Sequence, residues 1–414
     1  MPKRYSMPLY LVGATAARTG DEMSGPALLL VGLSVTGSAS AASALLSGIT
    51  VSAAVGGPVF GAMLDRAARP GRLLAGALAA YCAALLVILL SLGRLPLPVV
   101  LATAVCGGLL GPALAGGWTS QLPRVAAPEG LPRANALDAL TFNTASLAGP
   151  ALAGAVAMAA GAAAGVVVSL ALIALALPAA WTLPRRAPAV RAEPSSSVAG
   201  LVADLAAGFA AIGRTRPLAR ATLTSVVSYV GVGMLVTCTP LLGERALGTT
   251  GSGTFLLAAL AAASLLANAL LARRPDLLRP DATILGSVLA LALALLLAAA
   301  LSPLALFAAM AVAGAGAGPQ LTALFAVRHR EAPERLRGQI FTTGASLKIT
   351  GFAIGAGIGG PIATWSLSGS LLVAAAFELL AALCFALLTV APPRHPDAPP
   401  SHAPRARVRP GRPG

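Results

Sequence analysis

The chain is poor in charge, in aromatic rings and in the side chains that carry most enzymatic chemistry. Only 10% of its 414 residues are charged, against about 25% in soluble domains, and a surface facing water cannot be built from so few. There are 3 histidines and 4 cysteines. His329 falls in a basic stretch that reads as a loop, and His395 and His402 in the C-terminal tail, so neither a metal site nor a histidine-based active site is expected. Cys82, Cys106, Cys238 and Cys384 lie in apolar runs without paired spacing. That excludes a zinc site or disulfide framework and leaves small buried hydrophobes. No G-x-x-x-x-G-K-[ST] segment offers a nucleotide-driven mechanism. Nor is there the interfacial Asp or His cluster of a membrane-embedded enzyme, so an enzyme or a sensor is only a remote alternative, and no cofactor is expected.

The formal net charge is +15, which in a soluble chain would suggest nucleic acid. Here the arginines sit in small clusters between apolar runs, without interleaved aromatics, and nucleic acid is set aside. The partners expected are a lipid bilayer, a small-molecule substrate and protons.

What the sequence has in abundance is apolar length. Hydrophobic residues make up 57%, in blocks of about 20, long enough at 1.5 Å per residue to cross a hydrocarbon core of roughly 30 Å. Twelve spans are expected, near 8–33, 43–64, 73–92, 96–118, 136–157, 164–183, 218–242, 252–271, 282–300, 303–325, 339–363 and 369–391. The fold class is therefore all-α integral membrane, with twelve transmembrane helices in two six-helix bundles. Alternate loops take nearly all the positive charge: with both termini cytoplasmic, 25 of the 29 Lys and Arg residues lie inside, as the positive-inside rule requires. The first apolar stretch follows a basic start but offers no signal-peptide cleavage site, so it is read as a retained helix. Heavy use of Ala, Gly, Pro and Arg suggests a GC-rich bacterial genome and hence the bacterial inner membrane.

The chain divides near its middle. Residues 1–183 form the first bundle, 184–216 a cytoplasmic linker, 217–391 the second bundle and 392–414 a disordered tail. The linker opens with Pro, Ser and Arg and continues as an amphipathic stretch in which Leu201, Leu205, Phe209 and Ile212 recur at helical spacing, with Asp204 and Arg214 off that line. The halves echo each other at an offset of about 205 residues: Ala127-Pro128-Glu129 precedes the fifth span and Ala332-Pro333-Glu334 the eleventh. Such duplication is the usual plan of secondary transporters, whose sites lie between the repeats.

The loop after the second span reads Gly61-Ala62-Met63-Leu64-Asp65-Arg66-Ala67-Ala68-Arg69. Gly61 permits close helix approach, Asp65 can sit at a neighbouring helix N-terminus, and Arg66 and Arg69 can bond carboxylates. This segment matches the G-x-x-x-D-R-x-x-R pattern of the major facilitator superfamily, and the chain resembles its drug and siderophore exporter-like branch from about residue 8 to 391. The resemblance implies a cytoplasmic gate that holds the outward-facing state, a cavity between the halves and work by alternating access, as a monomer. The second-half counterpart keeps Arg273 and Arg274 but has Asn268 and Ala272 where Gly and Asp would fall. Gly149-Pro150-Ala151-Leu152-Ala153-Gly154 resembles the family's antiporter motif with Ala153 in place of a glycine, which favours antiport, generic helix packing being the other reading of these small residues; export is the leading expectation, and import or facilitated diffusion is the alternative. The arginine usual in the family's fourth helix is missing, since Leu101 to Gly117 carries no charge.

Ions inside the spans are the coupling and substrate candidates, each costing about 2.5–3.5 kcal/mol at a helix centre on insertion scales. Arg18, Asp21 and Glu22 share the middle of the first span at i,i+3 and i,i+4 spacing. They are either a static internal pair or a site with a spare carboxylate. Lys348 and Glu378 reach similar depths on consecutive antiparallel helices, which suggests a salt bridge; the alternative has Lys348 facing the cavity, toward Asp21 or an anionic substrate. Asp138 is read as a favourable charge near the start of the fifth helix. The cavity expected is mostly apolar, suited to amphiphilic or hydrophobic cargo.

Overall fold

The structure is a computed structural model that describes residues 7–185, 198–248 and 253–390. The described residues are helical throughout, with no strand. The first half contains α1 (Met7–Thr36), α2 (Ala39–Val51), α3 (Ala53–Arg66), α4 (Pro70–Ser91), α5 (Leu97–Gly108), α6 (Leu131–Ala160) and α7 (Ala162–Trp181). The linker supplies α8 (Val198–Arg214). The second half contains α9 (Arg216–Leu247), α10 (Gly253–Arg273), α11 (Pro280–Ala298), α12 (Pro303–Glu331), α13 (Arg337–Trp365) and α14 (Leu367–Val390).

Apolar runs make the helices and Pro and Gly punctuate them. Pro70, Pro280 and Pro303 open α4, α11 and α12, where the missing N–H costs nothing and φ is already helical. Gly161, at φ 87°, makes the turn from α6 into α7, a conformation open to glycine without strain. Among the described residues, ten helices are long and apolar enough to cross a membrane. The other two expected spans, α1 and α13, run to 30 and 29 residues but carry the intramembrane charges or a high content of Gly, Ser and Thr. The second span is split at Ser52 into α2 and α3. The fourth leaves α-helical geometry after Gly108 and continues as a π-helical turn at Ala113–Gly117, the kind of bulge that recurs at functional sites.

The halves repeat one packing plan. In the first, α1 lies against α6 and α7; in the second, α9 lies against α13 and α14. The 205-residue echo has a structural counterpart: Pro128–Gly130 and Glu334–Leu336 are single 3₁₀ turns leading into α6 and α13. Each half has its own apolar core, and smaller seams join them, one of Ala136 with Leu271 and Ala272, another around Phe142, Phe325 and Phe341. The helix pairs that join the halves, α3 with α13 and α6 with α10, occupy equivalent places in the two repeats. The linker stretch expected to be amphipathic forms α8 with Ile212 buried and Phe209 exposed. The opening of the linker and the tail after Val390 lie outside the described residues.

Candidate transport site and gate

The end of the bundle that carries α8, here called the linker face, is closed by contacts between the halves. Asp65, the penultimate residue of α3, accepts the backbone N–H groups of Gly338 and Gln339, both at 2.8 Å. These are free donors in the first turn of α13, so the carboxylate completes the helix end and meets the positive end of its dipole. Gly57 and Gly61 let α3 approach so closely that a Cβ at either would collide with α13, at Ser346 and Thr342. Farther along, Ser346 Oγ donates to Ala53 O at 2.6 Å. From Asp65 to Ala53 is about 18 Å of helix, so closure extends from the linker face toward mid-membrane.

The two arginines of this segment part company. Arg66 Nε pairs with Asp204 Oδ2 of α8 at 2.6 Å, tying the gate to the linker helix, and Gln339 Nε2 donates to Leu205 O of the same helix at 3.0 Å. Arg69 has no carboxylate partner among the described residues and lines a separate surface cavity. The expectation that both arginines bond carboxylates is corrected to one.

Two further layers lie beside the cap. His329, near the end of α12, presents Nδ1 to Asn135 Oδ1 at 2.9 Å and Nε2 to Thr119 O at 3.2 Å, both in the opposite half. It stacks on Phe341 with centroids 4.4 Å apart. Above it an aromatic file crosses between halves: Phe341 to Phe325 at 5.9 Å, then Phe325 to Phe142 at 5.6 Å. The reading of His329 as a loop residue is therefore corrected: α12 extends to Glu331 and buries it.

At the far end of that file stands Arg18, its guanidinium 3.7 Å from the Phe142 ring centroid. The expected pairing of Arg18 with Asp21 or Glu22 does not form. Arg18 Nη1 instead pairs with Asp138 Oδ1 at 2.8 Å, with side chains 2% and 0% exposed. Thr119 Oγ1 donates to Asp138 Oδ2 at 2.8 Å, Tyr10 Oη donates to Oδ1 at 3.0 Å, and Arg18 also reaches Thr119 and Thr141. Asp138 is thus no helix-end charge: α6 starts at Leu131 rather than near 136, which carries Asp138 two turns inside. The charge missing from the fourth span is met from α1, whose Arg18 bonds the Thr119 hydroxyl of that span.

Freed of Arg18, the two acids of α1 diverge. Asp21 accepts from Tyr81 Oη at 2.9 Å. Glu22 carries an exposed side chain although it lies mid-span, and Ser146 Oγ donates to it from 3.4 Å. A Cβ on Gly149 would sit 2.6 Å from Glu22 Cβ; this glycine sets α6 directly against the acid. Gly154 meets nothing, and Pro150 is exposed.

In the second half, the expected Lys348–Glu378 bridge is absent among the described residues. Lys348 Nζ lies 3.8 Å over the Tyr229 ring, and Glu378, 0% exposed, packs on Gly231 beside Ser228 with no basic partner among the described residues. The intervening α9 separates them: its Tyr229 takes one and its Gly231 the other. Arg328 of α12 is also buried, beside Gly344, without an acidic partner among the described residues. Asn268, at the degenerate second gate, accepts from Thr322 Oγ1 at 2.8 Å. Cys106 is exposed rather than buried.

Residues 10–343 match the family described as Major Facilitator Superfamily. No curated protein matches the sequence. Among solved structures, the human organic anion transporter MFSD10 (TETRAN) is similar at 16% identity and TM-score 0.74, over 93% of this chain and 100% of that one. A bacterial homologue of the iron transporter ferroportin in the outward-facing state gives 16%, 0.74, 93% and 99%. The proton:xylose symporter XylE gives 13%, 0.69, 91% and 94%. At these identities the likeness is one of fold.

Proposed function

The chain belongs to the Major Facilitator Superfamily, and on that premise we propose that it is a proton-coupled exporter of small amphiphilic or hydrophobic compounds. The observation that carries the reading is the placement of Glu22: exposed at mid-span, against Gly149 of the antiporter-like segment, above a gate closed at the linker face. A carboxylate exposed while the linker face is closed would take a proton from the opposite side and release it when the halves rock. Asp21 and Glu378 are the further coupling candidates. Lys348, with no acidic partner among the described residues, would meet an acidic group of the cargo, while Ala- and Leu-rich walls accept its apolar part.

The positive-inside distribution supports a cytoplasmic linker face with both termini on that side, and the heavy use of Ala, Gly, Pro and Arg supports the inner membrane of a bacterium. On this reading, closure at the linker face belongs to the outward-facing state. The two bundles, 1–183 and 217–391, move as units about the central site, joined by the 184–216 linker, and a single chain suffices.

The test is transport in everted membrane vesicles, energised to be acid inside, with a panel from cationic ethidium to anionic carboxyfluorescein. Export predicts accumulation that collapses when a protonophore abolishes the gradient and is lost in Glu22→Gln. Accumulation indifferent to the gradient overturns proton coupling in favour of facilitated diffusion; outward movement with protons overturns export in favour of import.

A further inference from the structure

At the linker face, beside the segment that carries Asp65 and Arg66, a cavity of about 300 Å³ opens between the start of α4 and the end of α7, lined by Arg69, Arg72, Arg185, Gly71 and Trp181. Three guanidiniums share it, and none of the three has a carboxylate partner among the described residues. Crowding is felt: repulsion from Arg185, then from Arg72, holds the Arg69 guanidinium below its ordinary range. Like charges converging on a cavity cost free energy unless an anion occupies it.

Three independent features say what kind of anion. The cavity sits at the first turn of the 22-residue α4, whose dipole favours a phosphate or carboxylate. Guanidinium forks match phosphate oxygens bidentately. Trp181, 56% exposed at the end of α7 with Arg72 stacked 4.9 Å from its ring, is placed as interfacial tryptophans are, at headgroup level beside the acyl chains. A soluble anion would need no such ring. Basic pockets between spanning helices at a membrane surface are the general form of an anionic-lipid site.

We propose that Arg69, Arg72 and Arg185, with Trp181, bind the phosphate of an anionic phospholipid headgroup. The site is distinct from the central cavity and holds whatever the cargo is. Arg69 follows Arg66 by one helical turn's worth of residues, so an occupied headgroup site lies next to the segment that carries the gate.

The experiment is native mass spectrometry of the full chain released from nanodiscs of equimolar phosphatidylglycerol and phosphatidylcholine. The wild-type protein is expected to retain one phosphatidylglycerol with about tenfold preference. Arg72→Gln combined with Arg185→Gln is expected to bring the preference to near one at an unchanged melting temperature. Arg94→Gln, at the opposite end of α4, is the control and keeps it. Equal preference in wild type and double variant overturns the site. Displacement of the lipid by millimolar inorganic phosphate overturns its assignment to lipid in favour of a free phosphate. If the double variant melts early, Arg185→Lys, which keeps charge but loses the fork, must still weaken retention, and unchanged retention overturns the proposal.

Discussion

Asp65 of one half holds the first turn of α13 in the other through two hydrogen bonds of 2.8 Å, from Gly338 N and Gln339 N. A carboxylate that caps a helix across a domain boundary stabilises only the conformation in which that boundary is closed. Asp65→Ala removes a cap worth about 0.5–2 kcal/mol, and so is expected to shift the population open at the linker face by roughly 2- to 30-fold. Alkylation of a cysteine introduced at Thr342, buried under Gly61, reads this as a faster rate. Asp65→Asn, which can still accept, is expected to fall between.

Arg18 and Asp138 form a buried pair within the first half, so losing one partner strands the other. Arg18→Gln or Asp138→Asn is expected to destabilise the detergent-solubilised protein by about 3–5 kcal/mol, with the double variant recovering part of it. Thermal melting followed by tryptophan fluorescence measures this. Strict additivity would deny the pair.

For Lys348 and Glu378 the expectation is the reverse. With no ion pair between them among the described residues, the effects of Lys348→Met and Glu378→Gln on melting are expected to add within about 0.5 kcal/mol. The double-variant cycle is the check, and a coupling above that would restore the bridge.

Gly149 and Gly154 share one motif but not one environment. Gly149→Val drives a side chain into the backbone of α1 at Glu22 and is expected to abolish transport; Gly154→Ala meets open space and is expected to leave it within twofold. Vesicle assays of the two variants side by side decide.

These contrasts show where the sequence was legible. Apolar length, loop charge and the Ala-Pro-Glu echo carry the architecture, because each is a one-dimensional consequence of a bilayer. The G-x-x-x-D-R-x-x-R segment carries the contact that closes the linker face, and its Asp65 meets a helix N-terminus as its chemistry suggests. Partner identity was another matter. Arg18 has two acids within a turn on its own helix, and local spacing favoured them, yet the burial of α1 against α6 presents Asp138 with Tyr10 and Thr119 already arranged around it. His329 and the Phe142, Phe325 and Phe341 file were invisible because each is one unremarkable residue on a different helix, brought together only by the packing of two halves. Lys348 and Glu378 match in depth, but depth says nothing of rotation about a helix axis, and α9 stands between them.

The central claim is that the halves exchange closure at the linker face for closure at the opposite face. Pulsed electron–electron distance measurements test it directly, with spin labels at exposed Ala68 and Arg335 on the linker face and at Val35 and Glu244 at the other end. In Asp65→Ala the account predicts that the Ala68–Arg335 distances lengthen while the Val35–Glu244 distances shorten. Distances that stay fixed at both ends, or lengthen together, would contradict it.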